Sequence, residues 1–163
     1  TNAVGPTLVL FFADCAPIFI LDPRNRAVGL AHAGWKGTAL RIAAKTVQAM
    51  RRQFGTDPKD CLAAIGPAIG PCCYDVSSEV AAAVLRAVGD DRAVARAAGG
   101  KAYVDLKLAN WQMLRGLGVR SENIAVSEAC TACNSYDFFS HRRDGPTGRM
   151  AAILALQSHP PTS

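Results

Sequence analysis

The sequence predicts a single α/β domain, and three observations carry that expectation. Short β-rich apolar runs alternate with amphipathic helical stretches, the earliest runs follow one another without a helix between them, and no linker, repeat or low-complexity tract divides the 163 residues. Half the residues are apolar and 19% are charged, enough to bury a sizeable core. The expected domain covers residues 1–158, and a loose tail, 159–163, follows it.

Thr7 to Phe12, Ile18 to Leu21 and Ala27 to His32 read as buried strands, the last two joined by the turn letters DPRNR. From Gly37 to Phe54, Leu40, Ala43, Val47, Met50 and Phe54 recur at three- and four-residue steps with basic and polar residues between them, which predicts one continuous helix. Gly55-Thr56-Asp57-Pro58 stops it. A strand, CLAAIG (61–66), and the loop PAIGPCCYDV follow. Helices are predicted over Ser77 to Val88 and over Leu106 to Leu117, the second with Asp105 as N-cap. Between them GDDRAVARAAGGK reads as a surface excursion. Ile124 to Ser127 and Met150 to Leu156 are predicted strands flanking the loop-rich CTACNSYDFFSHRRDGPTGR. The strand pair at the start argues against a simple doubly wound sheet.

No apolar run approaches the roughly 20 residues needed to span a bilayer, and the start lacks a signal-peptide pattern, so a soluble, cytoplasmic protein is expected. The chain begins at Thr1, a few polar residues before its first strand, which suggests processing or truncation. The net charge of +5 is spread along the chain except at Arg142-Arg143 after His141. That pattern lacks the basic stripe with interleaved aromatics that nucleic acid requires, and a small anionic substrate is the easier reading.

Six cysteines stand at 15, 61, 72, 73, 130 and 133, and reduced thiols are the expectation. Cys130-x-x-Cys133 amounts to half a zinc ribbon, because the other close pair is the adjacent Cys72-Cys73 and neighbouring residues rarely both reach one tetrahedral metal. A four-cysteine zinc site is therefore not expected. Nor is a thioredoxin-type role, since CTACNSYDFF runs into turn residues.

The stretch FFADCAPIF places Asp14 and Cys15 in an apolar run. Asp22-Pro23-Arg24-Asn25 suits a type I turn. If that turn pairs Leu21 with Arg26, Cys15 faces His32 at a Cβ separation of about 4.5–5.5 Å, the range in which a thiolate and an imidazole share a metal or exchange a proton. A one-residue bulge at Asn25 would put His32 on the other face, and a buried Cys beside an unrelated His is the bland alternative. After His32, AGWKGT runs into the predicted helix, where small residues, the first helical N–H groups and Lys36 suit an anion such as phosphate.

ADCAP, HAGWKGT, IGPAIGPCCYDV and FFSHRRDGPTGRM, in this order and spacing from Leu8 to Leu156, resemble the YfiH-like family. That family is often labelled multicopper polyphenol oxidase or laccase and is related to purine nucleoside phosphorylases. The resemblance implies an αββα four-layer sandwich with mixed β-sheets. It also implies one metal, usually zinc, held by two His and one Cys, of which Cys15 and His32 match two. The family's first His lies upstream in a Gln-x-His-Gly motif that does not precede Cys15 here, so the chain is expected to lack the family's N-terminal segment. By the same resemblance Cys15, His32, Lys36 and Arg143 are catalytic candidates. Asp14, Trp35, Cys72, His141 and Arg142 are substrate-binding candidates, with Asp144 and Arg149 near the pocket. Asp14 is expected to support the site rather than bind metal.

A true multicopper oxidase needs many imidazoles, whereas this chain has His32, His141 and His159 alone. Zinc is favoured, with copper as an adventitious alternative. The resemblance implies that adenosine, inosine and methylthioadenosine are split by phosphate into base and ribose 1-phosphate, with adenosine deamination as a related activity. The small-molecule partners are then a purine nucleoside and phosphate. A rival reading uses Cys15 as nucleophile and His32 as base in a cysteine hydrolase or amidase, for example in peptidoglycan editing. A non-catalytic reading is a metal-binding or thiol-rich interaction protein.

Overall fold

In the computed structural model, which describes residues 1–96 and 101–158, the apolar strand β2 (Ala16–Asp22) is central because every second side chain on it has somewhere apolar to go. It pairs antiparallel with β3 (Ala27–Ala33) on one side and with β4 (Leu62–Ile65) on the other; β4 pairs parallel with β8 (Ile124–Val126). One face of this mixed four-stranded sheet, with Ile18, Ile20, Ala31 and Ile65, packs with Ala43, Val47, Met50 and Leu114. Those four come from α2 (Ile42–Phe54) and α4 (Leu106–Gly116). A Cβ on Gly29 of β3 would stand 2.7 Å from Met50 Sδ, so a glycine there is what lets α2 close on the sheet.

The opposite face meets a second, two-stranded sheet of β1 (Thr7–Phe12) and β9 (Met150–Ala155), paired antiparallel. Phe12 and Met150 from that sheet, with Pro17 and Phe19 of β2, line a cavity of about 210 Å³ between the two sheets. Phe12 stacks on His32 of β3, ring centroids 4.5 Å apart. Helix, sheet and sheet are thus three successive layers of a mixed α/β fold, and Val9, Phe11 and Ile153 stand exposed on the outer side of β1/β9. A third sheet, β5 (Asp75–Val76), β7 (Ala102–Val104) and β6 (Val94–Arg96), packs with α3 (Ser78–Val88) around a satellite core containing Val84, Val104 and Leu106. Ser77 and Asp105 cap α3 and α4 through their side chains, Asp105 as the sequence predicts and Ser77 from one residue before α3, where the sequence predicts the helix itself to begin.

Three expectations are corrected. The continuous helix from Gly37 is two: α1 (Trp35–Ala39) ends at Leu40, and Arg41 at φ 59°, ψ 45° turns the chain before α2. The break lets α1 pack on α3 while α2 packs on β3, a division that one straight helix cannot achieve. The surface excursion contains a 3₁₀ turn and β6, because Ala93 is buried and Val94 pairs with Val104; its residues 97–100, like the tail 159–163 with His159, lie outside the described residues.

The third correction is the β2–β3 register. Asp22 pairs with Ala27 and Leu21 with Val28, so Pro17, not Cys15, is opposite His32. The cause is local. Asp22 Oδ1 accepts the backbone N–H groups of Arg24 and Asn25, each at 3.0 Å, and Oδ2 accepts Asn25 Nδ2 at 2.8 Å, which winds Pro23–Arg26 into a four-residue loop with Arg26 at φ 47°.

Burial alone would raise the Asp22 carboxyl, yet the donors of Asn25 and Arg24 outweigh it and hold it below its ordinary value. A depressed folded pKa contributes stability that is present above the unfolded value of about 3.9 and is lost as pH falls through the folded value. Asp22→Asn should therefore lower the urea midpoint at pH 7 and flatten the loss of stability below about pH 4.

Candidate functional site

Asp14 organises the region where β1 hands over to β2. It sits at φ 83°, a conformation few non-glycine residues adopt, and is 7% exposed. Its carbonyl accepts Ile69 N at 2.9 Å, Oδ1 accepts the Thr131 hydroxyl at 2.6 Å and Oδ2 accepts Arg142 N at 2.7 Å. Two loops and the start of a short helix therefore converge on one residue. Each carboxylate oxygen is already engaged by protein.

The reversal at Asp14 delivers Cys15 against the backbone of Gly34: a Cβ there would stand 2.6 Å from Cys15 Sγ. Burial pushes the Cys15 thiol up, the Asp14 charge adds to this, and Arg149 opposes it. His32, on the neighbouring strand, is pushed down by burial and so carries a neutral imidazole at pH 7. Among the described residues Cys15 has no hydrogen bond to His32. Tyr74 joins the same region. Its hydroxyl is pushed up to about 12 by burial and by the Cys15 thiolate, against the opposing charge of Arg142.

The other sequence-predicted residues divide by what they touch. Arg142 lies over the Tyr74 ring at 5.0 Å and donates through Nη1 to Asp75 Oδ1 at 2.7 Å and to the Asp75 carbonyl at 2.8 Å. Arg143 is clamped by both oxygens of Asp144 and by the carbonyls of Thr131, Ala132 and Phe138. His141 Nδ1 lies 2.9 Å from the Gly145 carbonyl, within α5 (His141–Asp144) and its C-cap. Trp35 packs on the satellite core and carries Lys36 Nζ 5.5 Å from its ring centroid. Cys72 lies elsewhere, in a group with Cys73, Cys130 and Cys133 whose sulfurs are all within 4.8 Å of one another, an arrangement that can hold a metal ion. The expectation that adjacent cysteines would not converge on one point is corrected by the turn at Gly70–Tyr74.

Sequence reading passed over Thr131 and Tyr74 and left Arg149 only near the pocket. Tyr74 stands inside the quoted GPCCYDV, but nothing in that string says which way the ring turns. Thr131 could not be found without knowing that the loop after β8 passes over Asp14.

With this geometry in place, similarity to known proteins can be stated. Residues 1–157 match the family described as multi-copper polyphenol oxidoreductase laccase. The chain is 44% identical over 157 residues to the purine nucleoside phosphorylase YlmD of Geobacillus stearothermophilus, covering 94% of this chain and 57% of that protein. It is 42% identical to the adenosine deaminase RL5 of an unknown prokaryotic organism, covering 89% of this chain and 56% of that protein. The crystal structure of Bacillus licheniformis YfiH superposes with a TM-score of 0.89 at 42% identity, covering 96% of this chain and 60% of that one. The chain thus spans between half and two thirds of the length of these relatives.

The Asp14 contacts yield a two-part expectation. Asp14→Ala should cost about 3 kcal/mol in urea unfolding, because it orphans the Thr131 hydroxyl and the Arg142 N–H and places alanine at positive φ. Asp14→Asn tolerates that backbone and should cost about half as much. By removing a negative charge beside Cys15 it should also make the thiol more acidic, seen as faster iodoacetamide alkylation at fixed pH in metal-free protein.

Proposed function

The chain belongs to the multi-copper polyphenol oxidoreductase laccase family, and on that premise we propose that it is part of a zinc-dependent purine nucleoside phosphorylase. The reaction is cleavage of adenosine or inosine, and of methylthioadenosine, by phosphate into base and ribose 1-phosphate, with adenosine deamination as a side activity. The observation that supports this most directly is a half-buried thiol packed against Gly34, two residues beyond the neutral imidazole of His32, with the charge of Arg149 acting on the thiol. Cys15 and His32 form an N/S donor set that zinc accepts, and the absence of a side chain at Gly34 leaves the sulfur its place. Copper is the adventitious alternative.

Bound there, zinc supplies Lewis acidity toward an anionic oxygen. The chain's own residues do the rest. Arg149 and Lys36 bring positive charge for phosphate, whose attack on the anomeric carbon passes through a sugar with oxocarbenium character. Phe12, stacked on His32, fixes the plane of the imidazole. Asp14 and Arg143 are positioning residues in this reading: the first sets the turn that presents Cys15, and the second ties the Thr131 loop to α5. Trp35, His141 and Arg142 are assigned to the pocket wall.

The cysteine-hydrolase reading is less well supported. A nucleophilic cysteine needs a base within reach and a lowered pKa, whereas this thiol is pushed up and lacks a hydrogen bond to His32. All six cysteines are free thiols, which fits a reducing compartment, and we place the protein in the cytoplasm. Among the described residues no helix is long and apolar enough to cross a membrane.

Full-length protein incubated with adenosine, with and without phosphate, should release adenine and ribose 1-phosphate only when phosphate is present. Absence of phosphate-dependent base release from zinc-loaded enzyme sinks the reading. Cys15→Ala and His32→Ala should each lose zinc from this site together with turnover. Arg149→Ala should keep the metal and lose about 10- to 100-fold in kcat/KM, the loss expected for one charge-assisted contact to phosphate.

A further inference from the structure

Cys72 and Cys73 occupy a turn in which the Cys73 and Tyr74 N–H groups both donate to the Gly70 carbonyl, at 3.0 and 3.1 Å. Facing them, Cys130 and Cys133 lie in a second turn closed by Asn134 N donating to the Cys130 carbonyl at 3.1 Å. The two turns are held together independently of the thiols. Ala68 bridges Cys130 in parallel β fashion, and Thr131 N donates to the Ala68 carbonyl at 3.1 Å. We propose that Cys72, Cys73, Cys130 and Cys133 form a metal site separate from Cys15 and His32, a closed tetrathiolate site for one zinc ion.

Distances decide the ligand class. Four sulfurs at a Zn–S length of about 2.3 Å form a tetrahedron with edges of about 3.8 Å. Here Cys133 Sγ lies 3.6 Å from Cys72 Sγ and 3.4 Å from Cys73 Sγ, and all four sulfurs fall within 4.8 Å of one another. A single ion fits; a four-iron cluster would spread its thiolates farther apart. A disulfide accounts for the group less well, because Cys133 is nearly equidistant from two partners and any one bridge leaves two thiols crowded beside it.

Gly70 is a second, independent sign of a built site. Its N–H donates to Cys130 Sγ at 3.1 Å, an interaction that favours thiolate over thiol. A Cβ there would stand 3.2 Å from Cys72 Sγ and 3.4 Å from Cys130 Sγ, so the missing side chain is what lets the sulfurs close. Thiols that become ligands release their protons to solvent when the ion binds, and no electron changes hands.

The site would act on the first one mechanically. The two turns it joins carry Ile69 and Thr131, both of which donate to Asp14. Its metal would fix the frame that presents Cys15 without touching the substrate.

The test uses the full chain carrying Cys15→Ser and His32→Ala, purified with reductant and zinc, so that the first site's success or failure does not enter. Elemental analysis should find about one zinc per chain, and X-ray absorption should show four sulfur neighbours at about 2.3 Å. Cobalt in place of zinc should give the intense near-ultraviolet thiolate charge-transfer band of a tetrahedral site. Adding Cys130→Ser and Cys133→Ser should abolish all three signals; should those changes prevent folding, the absorption spectrum of the parent still decides. A metal-free protein whose thiols all react freely with Ellman's reagent overturns the proposal. So does a first shell containing oxygen or nitrogen, or a Cys72–Cys133 or Cys73–Cys133 disulfide that persists under reductant.

Discussion

The position of the site depends on a single buried carboxylate. Asp14 accepts from the loop at Ile69, the loop at Thr131 and the start of α5, and it does so from a backbone conformation that costs energy on its own. Charge-assisted bonds to N–H and O–H groups are shorter and roughly twice as strong as neutral ones, which is why one residue can offset that strain and still hold the loops together. Cys15 faces Gly34 because Asp14 reverses the chain just before it. The bend at Ala13–Cys15 is where the chain leaves the β1/β9 sheet for the four-stranded one.

The same constraint sorts the cations. Arg142 and Arg143 look alike in the sequence, but α5 presents the backbone N–H of the first to Asp14 and sends its guanidinium to Asp75, while the second is consumed by Asp144 and three carbonyls. A guanidinium with its donors spent on protein has little left for phosphate. Among the described residues Arg149 donates to the nearby Thr147 and Gly148 carbonyls, and its charge is felt at Cys15. Its guanidinium is engaged by fewer protein groups than those of the paired arginines before it.

What could be read in advance follows the range of the interactions involved. Strand β1 and the capped start of α4 depend on local alternation and on one capping side chain, and the sequence reading places them at the residues where they occur. The break at Arg41 leaves no trace in a three- and four-residue apolar rhythm, because Leu40 and Ala43 keep the period on either side of it. The hairpin slipped by two residues since Asp22 uses its side chain to wind the loop, an outcome that turn propensity alone does not distinguish from a tight turn. For Cys15 and His32 the expected cross-strand pairing did not follow: Cys15 lies in the bend before β2, and Pro17 takes the place opposite His32. The thiol cluster was the hardest to foresee. Adjacency along the chain argues against shared coordination only if the backbone is extended, and at Cys72-Cys73 it is coiled into a turn.

The two thiol sites differ in a way that fits different work. A closed set of four sulfurs leaves a metal no open position, so its effect is confined to folding energy and loop geometry. Cys15 and His32 are an N/S pair of donors, which by themselves do not complete a coordination sphere. The family name invokes copper, yet a redox centre would need a ligand set rich in imidazole or thioether, and neither Met50, Met113 nor Met150 lies within the described contacts of Cys15. Met50 and Met113 are buried among apolar residues, and the Met150 sulfur accepts from Phe139 N. The methionine sulfurs are thus engaged in the core and at the Phe139 backbone, and the donors that Cys15 and His32 bring together are one sulfur and one imidazole nitrogen.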